Sequence, residues 1–233
     1  MSSATFFDGP TGRFSLGEAI STSRALIKGT KRHVFGLMVL SFVVTYALDW
    51  AFGPTVSYVG IRQHATYSSE AHRWFYLALG GALNAVGALV STNIGLLRAA
   101  GEEATLSRAF RRLDRLPWIM VAMVPFSMLM QDLLETSSWL TLTVVMLAAS
   151  PAVFFGNFVL DRNLNAFQAI ARSYTFTFAN FGQLFLYFLL ALGLCALIPL
   201  SLGIGAIWIV PFLLIANAVI YAMGQGLQDD YRP

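Results

Sequence analysis

The residues that could do chemistry in this chain are few, and their spacing works against it. The 233 residues include three histidines and one cysteine. His33 falls at the start of an apolar run. His64 and His72 share one polar loop, with no further ligand at helical spacing to make a metal site. Glu102 and Glu103 sit in an arginine-rich stretch and balance its charge. Acid–base catalysis needs paired titratable groups in one pocket, and no nucleophile–base set in recognisable order is present. Cys195 lies among Leu192, Leu194 and Leu197 and reads as a small packing residue. As the lone cysteine it forms no intramolecular disulfide. The expectation is a non-enzymatic protein without cofactor or metal.

The polar groups that remain lie inside apolar runs. Asn84, Asn93, Asn157 and Asn217 occupy such positions, and Asp49 stands one residue before Trp50 at a run's edge. An uncharged amide in hydrocarbon needs a partner, and a bond between helices is one answer. A polar path for a solute, lined by these four amides, is the alternative. Pro125, Pro151 and Pro211 are positions where helices could break, as they do in transporters.

What must position these residues is a set of six long apolar segments, at about 33–52, 75–97, 117–134, 139–160, 181–200 and 203–224. Each is long enough to cross a bilayer as a helix. The composition agrees: 57% of residues are hydrophobic and 12% charged, against about a quarter charged in soluble domains. We expect an all-α polytopic membrane helix bundle with a segment 1–32 before it, a six-span domain 33–224 and a tail 225–233. The stretch before the first span holds a polar helix, so the first span reads as a retained anchor rather than a cleaved signal. The net charge of +3 does not imply nucleic acid, because the cations cluster beside spans, where anionic headgroups attract them.

The cations also orient the chain. Arg13, Arg24, Lys28, Lys31, Arg32, Arg98, Arg108, Arg111, Arg112, Arg115, Arg162, Arg172 and Arg232 fall on one side of the six spans, and Arg62 and Arg73 on the other. Positive charge beside spans marks the cytoplasmic face. Both termini are therefore expected to be cytoplasmic, in a bacterial inner membrane.

Each pair of spans follows a short amphipathic segment on the basic side, at about 15–28, 105–115 and 165–178. Leu16, Ala19, Ile20, Ser23 and Ile27 line the first. Leu106, Ala109, Phe110 and Leu113 line the second. Ala166, Phe167, Ile170, Ala171, Tyr174 and Phe178 line the third. Ser15 with Glu18, and Asn165 with Gln168, have capping-box spacing. Glu18-Ala19-Ile20 aligns with Gln168-Ala169-Ile170, Ser23 with Ser173, and Ala19 with Ala109. A threefold repeat of helix plus two-span hairpin would explain this; chance similarity among apolar helices is the competing explanation. Gly87, Ser91 and Gly95 form a small-residue stripe suited to helix contact.

Asp161-Arg162-Asn163-Leu164, Gln168-Ala169-Ile170, Ser173, Asn180-Phe181-Gly182 and the opening Phe14-Ser15-Leu16-Gly17-Glu18-Ala19 resemble a loose group of bacterial six-span proteins. The group includes the YciC-type proteins and the membrane domain found beside some glycerophosphodiester phosphodiesterases. The resemblance implies a six-helix membrane domain and no catalytic residue, since the phosphodiesterase domain has no counterpart here. The expected function is a membrane accessory or scaffold protein that binds lipid, anionic above all, or a membrane-protein partner or second copy. Its headgroup contacts would be Lys28, Lys31, Arg32, Arg108, Arg111, Arg112, Arg115 and Arg172. A small-solute transporter or channel, and an immunity protein against a membrane-targeting toxin, are the alternatives.

Overall fold

The computed structural model describes residues 14–59, 62–136, 139–227 and 231. Arg13 and Arg232 lie outside these residues, as do the side chains of Arg62 and His64. The chain is an all-α, multi-pass membrane protein. Six helical stretches are long and apolar enough to cross a bilayer: Lys31–Phe52, Glu70–Ala99, Leu106–Leu133, Thr143–Arg162, Phe181–Leu200 and Ala206–Gln225.

The elements run in order as α1 (Leu16–Leu26), α2 (Lys31–Phe52), a hairpin of β1 (Thr55–Val59) and β2 (Arg62–Thr66), then α3 (Glu70–Ala99). Next come α4 (Leu106–Ala109), a 3-10 turn (Leu113–Arg115) and α5 (Leu116–Thr136). The fourth span is α6 (Trp139–Ala149), a 3-10 segment (Ser150–Phe154) and α7 (Phe155–Arg162). α8 (Ala166–Ala179), α9 (Phe181–Leu200) and α10 (Ala206–Gln225) complete the chain. The antiparallel hairpin pairs Thr55 with Thr66 and Val59 with Arg62, and it orders part of a loop in which the sequence shows no regular period. The 30-residue α3 is about 45 Å long at 1.5 Å per residue, so it projects beyond a hydrocarbon core of about 30 Å.

The second helix of each hairpin goes to the centre. Half of α10's apolar stretch is buried, a third of the fourth span and 28% of α3, against 6% in α2 and 11% in α9. Centre helices meet through small residues, because lipid supplies no hydrophobic drive for association and close backbone approach must replace it. A Cβ on Gly95 of α3 would lie 3.0 Å from Ala218 Cβ and 3.1 Å from the Leu214 carbonyl of α10. One on Gly156 of α7 would lie 3.1 Å from Thr92 Oγ1 of α3. Of the expected small-residue stripe, only Gly95 is closed in this way. Gly87 has open space around it, and the second tight approach of α3 is at Gly81 against Val124 of α5. Edge-on ring pairs, Phe154 with Phe176 and Phe158 with Tyr221, both 5.0 Å between centroids, fill the interior between α7, α8 and α10 and contribute about 1 kcal/mol each beyond area burial.

The outer helices present their apolar side chains outward. Phe42, Trp50 and Leu192 are among the most exposed, as expected where acyl chains are the solvent.

Pro151 breaks the fourth span, while Pro125 and Pro211 sit inside continuous helices. A proline cannot donate to the carbonyl one turn earlier, and in lipid an orphaned carbonyl must find another donor. Around Pro151 the carbonyls find one. Ser150 Oγ donates to the Leu147 carbonyl at 2.8 Å and Tyr174 Oη to that of Ala148 at 2.5 Å. Ser173 Oγ and Thr177 Oγ1 donate to the Pro151 carbonyl at 2.7 and 3.0 Å, and Phe154 N–H donates to Ser173 Oγ at 3.1 Å. This explains the face that α8 buries: Ala166, Ala169, Ser173, Phe176 and Thr177 turn inward. Phe167 and Phe178, on the apolar face that the period marks, are 74% and 63% exposed.

Helix plus hairpin recurs three times in this order of elements. Ala19, Ala109 and Ala169, the aligned alanines of the three short segments, are 1%, 0% and 0% exposed. The aligned Ser23 and Ser173 are both fully buried.

Candidate functional site at the basic end of the bundle

The three short segments, the last turns of α3, α7 and α10, and Tyr231 meet at one end of the bundle. Many helix termini converge there, and each leaves backbone groups unsatisfied. Two arginines close carbonyls across elements. Arg98, at the end of α3, donates from Nε and Nη2 to the Leu26 carbonyl at 3.2 and 2.8 Å, and from Nη2 to that of Lys28 at 3.1 Å. It thereby caps α1 from outside that helix. Arg162, at the end of α7, donates from Nη2 to the carbonyls of Gln225 and Gly226 at 2.6 and 2.9 Å, closing the end of α10. Gly226 then turns the chain with φ of 66°, a conformation that suits glycine.

Beneath Arg162 lies a fully buried carboxylate. Asp161 is 0% exposed; its Oδ2 is 3.1 Å from Arg162 Nε and accepts from Tyr221 Oη at 2.8 Å. A buried charge must be paired and hydrogen-bonded, and this one is. The second buried polar cluster centres on Asn93, 1% exposed. Its Nδ2 donates to the carbonyls of Arg108 and Ala109 at 3.0 and 2.9 Å, and its Oδ1 accepts from Tyr231 Oη at 2.7 Å. These bonds account for both donors of the amide and fix its orientation.

Asn93 also marks the point where the second amphipathic segment, expected as one helix, departs from it. It bonds carbonyls of this segment where the regular helix ends: α4 stops at Ala109 and the chain proceeds by three-residue turns, Arg111 N–H to the Arg108 carbonyl and Leu113 N–H to that of Phe110. Of the two expected capping boxes, Asn165 accepts from Gln168 N–H at 2.9 Å. Ser15 makes no side-chain cap, and Leu16 N–H instead donates to Gln183 Oε1 at 3.2 Å.

The eight cations expected at headgroups fall into two sets. Lys28, Arg32, Arg111 and Arg172 are exposed and make no ion pair among the described residues. Arg172 borders a shallow concavity of about 390 Å³ with Leu164, Gln168, Ala171 and Thr175. The other four have partners: Lys31 Nζ lies 5.6 Å from the Trp208 ring centroid, Arg108 pairs with Glu102 at 2.9 Å and Arg115 with Asp114 at 2.9 Å. Arg112 sits 5.5 Å from the Tyr231 ring centroid, with Nη1 3.5 Å from Asn163 Oδ1.

The four amides also separate. Asn157 Nδ2 donates to Asn217 Oδ1 at 2.7 Å, joining α7 to α10. Asn93 belongs to the Tyr231 cluster, and Asn84 is exposed on the surface of α3. At the far end, Asp49 accepts from Tyr76 Oη at 2.5 Å, and Arg73 pairs with Asp132. His72 bridges Ser68 Oγ and the Phe52 carbonyl at 3.0 and 2.9 Å. Among the described residues no three His, Cys, Asp or Glu side chains come together.

Asp161, Tyr221 and Tyr231 are the members of this site that residue spacing does not single out. Asp161 lies in the Asp161-Arg162-Asn163-Leu164 run that carries the resemblance, but nothing in that run tells that its carboxylate is buried. Tyr231 has no signal either, because nothing in a short polar stretch tells that it folds back. Comparison with family models, curated proteins and solved structures finds no significant match for this chain.

Proposed function

We propose that this chain is a non-enzymatic accessory protein of a bacterial cytoplasmic membrane, with its basic end on the cytoplasmic side, where it binds anionic phospholipid headgroups. The observation that carries this reading is the division among the cations. Arg98 and Arg162 cap backbone carbonyls, whereas Lys28, Arg32, Arg111 and Arg172 stay exposed at the same end without an acidic partner among the described residues. Each such cation near an anionic leaflet contributes about 1 kcal/mol to association. The intramembrane amides support the same reading over solute flux, because Asn157 and Asn217 bind each other and Asn93 binds backbone.

The test is lipid retention by the purified protein. Replacing Arg111 and Arg172 together by glutamine should lower retention of phosphatidylglycerol over phosphatidylcholine, read by native mass spectrometry, by about thirtyfold if each contributes as above. Equal retention in wild type and variant overturns the reading.

A further inference from the structure

We propose that two copies of this chain pair in the membrane through α2 and α3, with Asn84 of each copy hydrogen-bonded to Ser41 of the other. This goes beyond the lipid-binding reading and does not depend on it.

The argument starts from two polar side chains that have nothing to bond. Asn84 and Ser41 are exposed, and neither makes a hydrogen bond among the described residues. Ser91 and Thr175 donate to a carbonyl of their own helix, the local recourse of a hydroxyl in a span; Ser41 does not. Both groups stand at the middle of their helices, Ser41 in α2 (Lys31–Phe52) and Asn84 in α3 (Glu70–Ala99). At 1.5 Å per residue, Ser41 is about 15 Å from either end of α2, which is the centre of a hydrocarbon core of about 30 Å. A polar group at that depth has no water to turn to, and another helix is the remaining source of a bond.

The two groups also share a depth. Tyr76 of α3 donates to Asp49 of α2 and sets the level of one helix against the other. Asn84 follows Tyr76 by eight residues, and Ser41 precedes Asp49 by eight. Because the two helices run in opposite directions, each lies about 12 Å deeper than that bond. Two copies inserted in one orientation, and related by a two-fold axis along the membrane normal, keep every residue at its own depth. Asn84 of one copy therefore stands level with Ser41 of the other. An amide and a hydroxyl each offer a donor and an acceptor, and the symmetry forms the bond twice.

The surroundings admit a second copy. The stretch in α2 is the least buried of the six, at 6%, so α2 is the helix open to a neighbour. On α3, Gly80 and Gly87 flank Asn84 on one face, four residues before it and three after. A Cβ at either glycine would meet nothing within 4 Å. A helix of the second copy can thus approach the α3 backbone closely, the kind of packing that joins spans in lipid, and bring its hydroxyl to the amide.

The test uses full-length protein, labelled with donor or acceptor fluorophore, in phosphatidylcholine vesicles at falling protein-to-lipid ratio. Energy transfer in wild type should follow a monomer–dimer curve. Asn84→Leu removes both symmetry-related bonds and should move the midpoint to a protein-to-lipid ratio about tenfold higher. Ser41→Ala should shift it as far, and the double variant no further than either alone. Both variants should melt like wild type in dilute micelles, because neither side chain has a partner within one copy. Transfer in wild type no greater than that of randomly placed monomers overturns the proposal. So does an unchanged midpoint in either single variant, or shifts that add in the double variant. If Asn84→Leu does not stay monodisperse, Ser41→Ala, the milder change, decides alone.

Discussion

At the basic end of the bundle, buried side chains close backbone carbonyls and pair around Asp161 and Asn93; at the far end, the ion and hydroxyl pairs lie at the rim. Arg98, Arg162, Asn93, Ser173 and Thr177 each close a main-chain carbonyl near or inside the membrane. Tyr76 with Asp49, and Arg73 with Asp132, are side-chain pairs at the rim. The difference follows from the topology. Three short segments turn back into the basic end and multiply the helix termini there, and every terminus needs partners. The far end has a hairpin and tight links, so its polar pairs are additions to a structure already closed. Polar bonds at the basic end should therefore matter to stability, and those at the far end little.

The sharpest way to break this contrast is Asp161→Ala. Removing one partner of a buried pair leaves Arg162 without its counter-charge and Tyr221 without its acceptor, for a loss of about 3 kcal/mol. A denaturant titration in mixed micelles should show it as a lower unfolding midpoint; a midpoint within error of wild type would dissolve the contrast. Gly95→Ala comes next, with a loss of about 2 kcal/mol from overpacking against Ala218 and Leu214. Its control is Gly87→Ala, where nothing lies within 4 Å. That change should stabilise by about 0.5–1 kcal/mol through helix propensity. Opposite signs at two glycines of one helix, measured by thermal melting in detergent, are the expected result.

Asn157→Ala should cost about 1 kcal/mol, the scale of a hydrogen bond between spans, whereas Asn84→Leu should leave the melting curve unchanged. Equal effects at the two positions would mean that the Asn157–Asn217 bond does not hold α7 to α10. The smallest effect is expected at the far end. Asp132→Ala breaks a pair whose side chains are 17% and 37% exposed, and should cost less than about 1 kcal/mol. A loss as large as that of Asp161→Ala would show that the rim is structural too.

The six spans were legible because hydropathy is a sum over some twenty residues, and a sum survives local surprises. Single side-chain bonds are not sums, and the departures trace to them. The second amphipathic segment stops short as a helix at Ala109, whose carbonyl Asn93 bonds. Pro151 turns α8 by calling on Ser173 and Thr177, so the polar edge of that helix faces inward and Phe167 and Phe178 face lipid. A helical period assumes that apolar means inside, and the assumption inverts where the surroundings are hydrocarbon. The amides were readable as groups needing partners, and three of the four have them. Which partner each takes depends on which helices are neighbours, and one chain's residue order does not contain that. Tyr231 depends on a fold-back across the whole sequence, which no local window sees.

The proline break in the fourth span also sets an order of events during synthesis. The carbonyl of Pro151 is satisfied by a hydroxyl 22 residues further along the chain, a stretch that takes about one to four seconds to translate. In the bent form, that acceptor has its hydroxyl partner only once Ser173 has emerged. The bent form of that span is therefore completed only by the helix that follows it.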